Sequence, residues 1–90
     1  MKKHTQGIFE DIKKPRFKES YAAIGIQFEM YQMLSDARRE KKMTQKELAK
    51  KIGMTQSSLA RIESGRGNPS FGLIAKIAYF LDCSIRIIPK

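Results

Sequence analysis

Apolar residues recur at helical spacing through the first half of the chain. Ile24, Phe28, Tyr31, Leu34 and Ala37 trace one broad stripe, with Ile26, Met30 and Met33 beside it. No proline interrupts residues 16–42. The pattern predicts a helical stretch, and Gly25 predicts its division into a short helix and a longer one. Residues 1–14 are polar and without clear period. Ile8, Phe9 and Ile12 are their apolar anchors, and Pro15 ends any helix there.

Three short helices are expected next, each with a start signal. Thr44 stands before Gln45-Lys46-Glu47 at capping-box spacing, where hydroxyl and carboxylate satisfy orphan amides reciprocally. Met43 and Leu48 take the staple positions, and Gly53 stops the helix after Ile52. Thr55 caps a second helix from Gln56 to about Ser64, with Met54 and Leu59 as its staple. Gly65 ends it, and the loop Arg66-Gly67-Asn68-Pro69 follows. Ser70 caps a last helix carrying Leu73, Ile74, Ile77, Ala78 and Leu81. The tail Ser84-Ile85-Arg86-Ile87-Ile88 alternates and is rich in β-branched residues, so it reads as a strand bounded by Pro89. A lone strand in a helical protein has nothing of its own to pair with. Either it takes a strand from another chain, or Ile85, Ile87 and Ile88 cover the bundle in extended form.

Composition narrows the class. A chain of 90 residues, 41% hydrophobic and 30% charged, holds one small globular domain. One cysteine, Cys83, excludes an intramolecular disulfide and reads as a small buried filler. His4 has no second ligand at metal spacing, so no metal site is assigned. Ser57-Ser58 lacks a base or oxyanion arrangement, so no catalytic residue is assigned. Tyr21, Tyr31 and Tyr79 sit among helical apolar positions and read as core or interface. No apolar run approaches the ~18 residues of a membrane span. The basic start is followed by no apolar stretch, so no secretory signal is expected. The expectation is a cytoplasmic protein without cofactor, small-molecule ligand or membrane partner.

Charge adds the first functional clue. Lys plus Arg number 18 against 9 Asp plus Glu, giving +9. In so short a chain this points to a polyanionic partner, nucleic acid first. Residues 1–20 carry six positive and three negative side chains, and residues 44–70 carry five and two. The excess is spread out, so no lysine-rich tail explains it.

Two short helices joined by a tight glycine turn have helix-turn-helix geometry. On the second, Leu59 and Ile62 point inward, with Glu63 at the edge of that side. Ser57, Ala60, Arg61 and Ser64 point outward, and Gln56 lies at the N-terminal edge. Small side chains permit close approach to a groove, Gln pairs bidentately with adenine, and Arg with guanine. Helix N-termini bind phosphate, which places Thr44, Gln45 and Thr55 to clamp a DNA backbone. The same residues also suit a solvated face of a plain helical bundle, and spacing alone leaves both readings open.

The stretch from Met43 to Ser70, MTQKELAKKIGMTQSSLARIESGRGNPS, strongly resembles the Cro/repressor helix-turn-helix family. The likeness runs from about Phe28 to Leu81 and rests on TQxELA, the turn glycine, TQSxLxRIExG and NPS. It implies an all-α fold, a compact five-helix lambda-repressor-like bundle. Here the bundle carries an N-terminal helical extension (residues 1–27) before the DNA-binding domain (28–82) and a short C-terminal β-strand (83–90). Gln45 matches the residue that opens the first motif helix and touches phosphate. Gln56, Ser57 and Arg61 match base-reading positions. Asn68 and Ser70 match a loop and helix start that also meet the backbone. Thr44, Thr55, Ala60 and Arg66 complete the expected DNA-contacting set. Arg38 and Glu63 match a largely buried ion pair linking the first helix to the recognition helix. It reads as structural, because losing one partner strands a buried charge. Two positions depart from the family. Asp82 stands where members usually place glycine, which requires a strained turn or an Asp in the left-handed state. Gly72 sits in the first turn of the last helix and costs about 1 kcal/mol relative to Ala.

A looser likeness extends further. Residues Phe9 to Tyr21, then Phe28-Glu-Met-Tyr and the terminal strand, are similar to antitoxins of the host-inhibition-of-growth type (HigA). Those are dimeric repressors that also neutralise a small ribonuclease toxin of the RelE/HigB type. The likeness implies a homodimer on operator DNA and a toxin partner, with Phe9, Phe17, Tyr21, Ile85 and Ile87 as contact residues. A stand-alone phage- or host-type repressor shares every DNA-binding residue, but the long extension leans towards the antitoxin. The basic recognition face argues against a DNA-independent adaptor, and no enzyme is expected.

Overall fold

A computed structural model describes residues 16–89, which form four helices and no strand. They are α1 (Arg16–Glu40), α2 (Gln45–Ile52), α3 (Gln56–Glu63) and α4 (Phe71–Phe80). Phe9 lies outside the described residues, and only the backbone of Phe17 is described. Two expectations are therefore corrected. The five-helix count fails among the described residues because α1 runs unbroken through Gly25, where the sequence suggests a division. One glycine costs a helix only about 1 kcal/mol, too little to break a stretch without proline. The terminal strand is also absent: residues 83–89 are neither helix nor strand. A strand is held by ladder hydrogen bonds, and the described chain offers no second strand to supply them. Nor does the tail cover the bundle, since Ile87 and Ile88 are exposed. Cys83, expected as a buried filler, is exposed too, because it lies past the end of α4.

The core is built where the short helices meet the C-terminal half of α1. Leu48, Leu59, Ile77 and Leu81 are fully buried, and Tyr31 and Leu34 join them from α1. α2 packs on α3 and α4, and α1 packs on α3. Lengths explain why the α1 stripe is only half used. At 1.5 Å per residue, α1 spans about 37 Å, whereas α2 and α3 each span about 12 Å. Residues 18–29 consequently have every side chain exposed, Ile24 included, although the Phe28 ring lies against Gly65 just past α3 and leaves no room for a side chain there.

The start and stop signals behave as the sequence predicts. Thr44 and Glu47 form the reciprocal capping box, with bonds of 2.8 and 3.0 Å. Thr55 and Ser70 accept from the amides of Ser58 and Leu73. Asp82 takes the left-handed state, at φ 58°, in the place where a glycine is usual. Lys42 does the same at φ 56°, just past the end of α1. Gly53 closes α2 at φ 90°, sending its amide back to Ala49. Gly53→Ala should therefore lower stability by about 1–2 kcal/mol although there is space for the methyl group, and a denaturant titration would read it.

Candidate nucleic-acid interface

The expected site residues lie at the start of α2, on α3, and in the loop leading to the start of α4. Leu59 and Ile62 hold the inner face of α3 in the core. Gln56, Ser57, Arg61 and Ser64 are exposed, and Ala60 is half-buried. Thr44, Thr55, Asn68 and Ser70 are exposed at helix starts and in the loop, with Gln45 half-buried. Arg66 is exposed and folds back on α3, donating to the Ser64 hydroxyl at 3.1 Å. That hydroxyl in turn donates to the Arg61 carbonyl at 3.0 Å. At the other end of α3 the Thr55 hydroxyl donates to Ser58 at 2.8 Å and lies 3.3 Å from that of Ser57. Both ends of α3 are thus stiffened by short-range hydrogen bonds, while its outer face stays free of tertiary cover.

Behind that face lies the ion pair. Arg38 Nε meets Glu63 Oε2 at 2.8 Å, and Arg38 Nη2 meets Oε1 at 3.0 Å, a bidentate fork. The third guanidinium nitrogen donates to the Met43 carbonyl at 2.7 Å. The two side chains are only 9% and 6% exposed. Ser35 Oγ (3.2 Å) and Gln45 Nε2 (3.0 Å) also donate to Glu63 Oε1. Burial alone would raise the Glu63 carboxyl. The bonds from Arg38, Gln45 and Ser35, together with the Arg38 charge, outweigh it and hold the carboxyl below its ordinary value. One carboxylate at the end of α3 is therefore tied to α1 and α2, and through Arg38 to the Met43 backbone. This fixes how α3 is presented.

With this geometry in place, comparison with known proteins decides the family. Residues 34–88 match the helix-turn-helix family model. The chain belongs to the helix-turn-helix family. It is 41% identical over 59 residues to an uncharacterized HTH-type transcriptional regulator of Sinorhizobium fredii, covering 66% of this chain and 30% of that protein. It is 34% identical over 56 residues to the ImmF control region 10 kDa protein of Bacillus phage phi105, covering 62% of each. An uncharacterized HTH-type transcriptional regulator of Methanocaldococcus jannaschii is 41% identical over 46 residues, covering 51% of this chain and 70% of that one. The chain thus spans less than two thirds of the first two relatives' length. No solved structure matches it.

Within the helix-turn-helix domain, two features escape the sequence reading. Gln45 is half-buried and donates to Glu63, so it joins the start of α2 to the ion pair. Ser35 is buried and belongs to the same cluster. The available signal was its place on α1 three residues before Arg38, on the same face. No helix among the described residues is long and apolar enough to cross a membrane.

Proposed function

We propose that the chain is a sequence-specific DNA-binding transcriptional repressor. α3 enters the major groove, where Gln56, Ser57, Ala60 and Arg61 face base edges. Thr44, Gln45, Thr55, Arg66, Asn68 and Ser70 meet the flanking phosphates. One observation carries this reading: Gln56, Ser57 and Arg61 are exposed on a helix whose inner face and terminal carboxylate are locked into the bundle. The net charge of +9 supplies attraction to any duplex, and the relatives' names speak of transcriptional regulation. Two copies bind together, with recognition helices about 34 Å apart on successive half-sites.

Selection of binding sites from a random duplex library tests this reading. Arg61→Ala should then cost about 1–3 kcal/mol on the preferred site and relax preference at the base it reads. Gln45→Ala should weaken binding to all duplexes alike. A wild type without preference overturns the reading. An Arg61→Ala variant with unchanged affinity and preference overturns the assignment of this face.

The finer reading is an antitoxin that also neutralises a RelE/HigB-like ribonuclease and represses its own operon. Residues 1–27 and the tail 83–90 hold the toxin or a second copy, while residues 28–82 read the operator. The support is exposed apolar surface: Tyr21, Ile24 and Ile26 on the N-terminal half of α1, Ile85 and Ile87 on the tail. Phe9, Phe17 and Tyr21 belong to the same N-terminal segment. Co-expression with the product of the adjacent small open reading frame decides it. Toxicity alone and rescue in a stable complex support the antitoxin. No toxicity and no complex leave a stand-alone repressor with its DNA reading intact.

A further inference from the structure

An open cleft of about 770 Å³ lies between the α1–α2 connection, the outer side of α2 and the end of α4. Four lysines line it: Lys41, Lys42, Lys50 and Lys51. Its other lining residues are Met43, Phe80 and Glu47. Met43 and Phe80 are half-buried, so they form an apolar floor beneath the ammonium groups. Glu47 is the one carboxylate among them, held ionised by the Thr44 bonds of the capping box and by the Lys51 charge, and it offsets one of the four lysines. Asp82, outside the lining, makes a loose ion pair with Lys41 Nζ at 3.8 Å and is almost wholly exposed.

The cleft is distinct from the DNA-reading face. No residue of α3 lines it. On α2, Lys50, Glu47 and Lys51 stand about 140°, 200° and 240° round the helix from Gln45, which is bonded to Glu63 below α3. The cleft adjoins the proposed phosphate contacts only at Thr44, which is bonded to Glu47, and a duplex seated on α3 leaves Lys50 and Lys51 open.

The geometry points to a docking site for an acidic peptide segment of another protein, one carrying a bulky apolar side chain between carboxylates. Charge complementarity selects the sign, since the lining carries four lysines and one carboxylate. The floor selects the rest. A bare phosphate chain would satisfy the lysines but leave Met43 and Phe80 uncovered, whereas a phenyl or isobutyl group removes that apolar surface from water. Such a partner and DNA occupy opposite sides of α2, so one chain can hold both.

The test uses the full chain with its methionine methyl groups isotopically labelled. The probe is a synthetic peptide, Glu-Asp-Phe-Asp-Glu, compared with the same peptide carrying Ser for Phe and with a short DNA duplex. The Phe peptide should bind about tenfold tighter than the Ser peptide, because burying a phenyl ring is worth at least that factor. It should move the Met43 methyl resonance, and a duplex bound beforehand should not displace it. Lys50→Ala with Lys51→Ala, both exposed positions in the last turn of α2, should weaken it by a similar factor and leave the melting temperature nearly unchanged. Equal affinity for the Phe and Ser peptides would overturn the proposal, as would an unmoved Met43 methyl. A duplex that moves that methyl as strongly would reassign the cleft to nucleic acid.

Discussion

Glu63→Ala is expected to destabilise the domain by about 3–5 kcal/mol, a large part of the 5–15 kcal/mol typical of a native domain. The substitution leaves Arg38, only 9% exposed at its side chain, without a counter-charge. It also removes the acceptor used by Ser35 and Gln45. Thermal unfolding would read the loss. A double variant, Arg38→Met with Glu63→Leu, should regain part of it, because it leaves no buried unpaired charge, although Ser35, Gln45 and the Met43 carbonyl still lose their partners. The pH dependence has a definite sign. The folded-state carboxyl of Glu63 lies below its ordinary value. Its contribution is therefore complete above the unfolded-state value and is lost as pH falls through the folded one. Wild type should lose stability on that acid limb more steeply than the double variant.

The second large effect concerns salt. Raising NaCl from about 50 to about 200 mM should weaken operator binding by about a thousandfold or more, if the bound pair neutralises about six to ten phosphates. Of the proposed phosphate contacts only Arg66 is charged, so the neutralising groups are Arg66 and the lysines and arginines spread over the rest of each copy, +9 net per chain. Fluorescence anisotropy on a labelled duplex measures the slope. A flat response would remove the DNA-binding reading altogether, whatever the peptide cleft does.

Local chemistry was the legible part of the sequence. Thr44, Thr55 and Ser70 announce helix starts because their hydroxyls satisfy amides within three residues. Gly53 announces a stop because its conformation is a property of the residue itself. The face of α3 followed from the inward pair Leu59 and Ile62. What could not be read depends on distant partners. The stripe through Ile24 and Phe28 has the spacing of a core, yet nothing in a stripe says how far the opposing helices extend. Alternation in Ser84 to Ile88 marks strand propensity, but a ladder requires a neighbour. Arg38 and Glu63 entered through family likeness, and the part of Ser35 and Gln45 in that cluster emerged only once three helices converged. The antitoxin likeness rests on scattered positions, and the family match covers residues 34–88 alone.

The unequal lengths of the helices give α1 two different lifetimes. Tyr31, Leu34, Ser35 and Arg38 bury one face of its second half, so the amide hydrogens of those turns should exchange with solvent only in openings that break the core. From Lys18 to Glu29 every side chain is exposed, so burial protects those turns less than the ones around Tyr31, Leu34 and Arg38. Their amides should exchange faster, through openings smaller than global unfolding. The boundary between slow and fast hydrogens falls near Met30, inside a helix that is geometrically continuous.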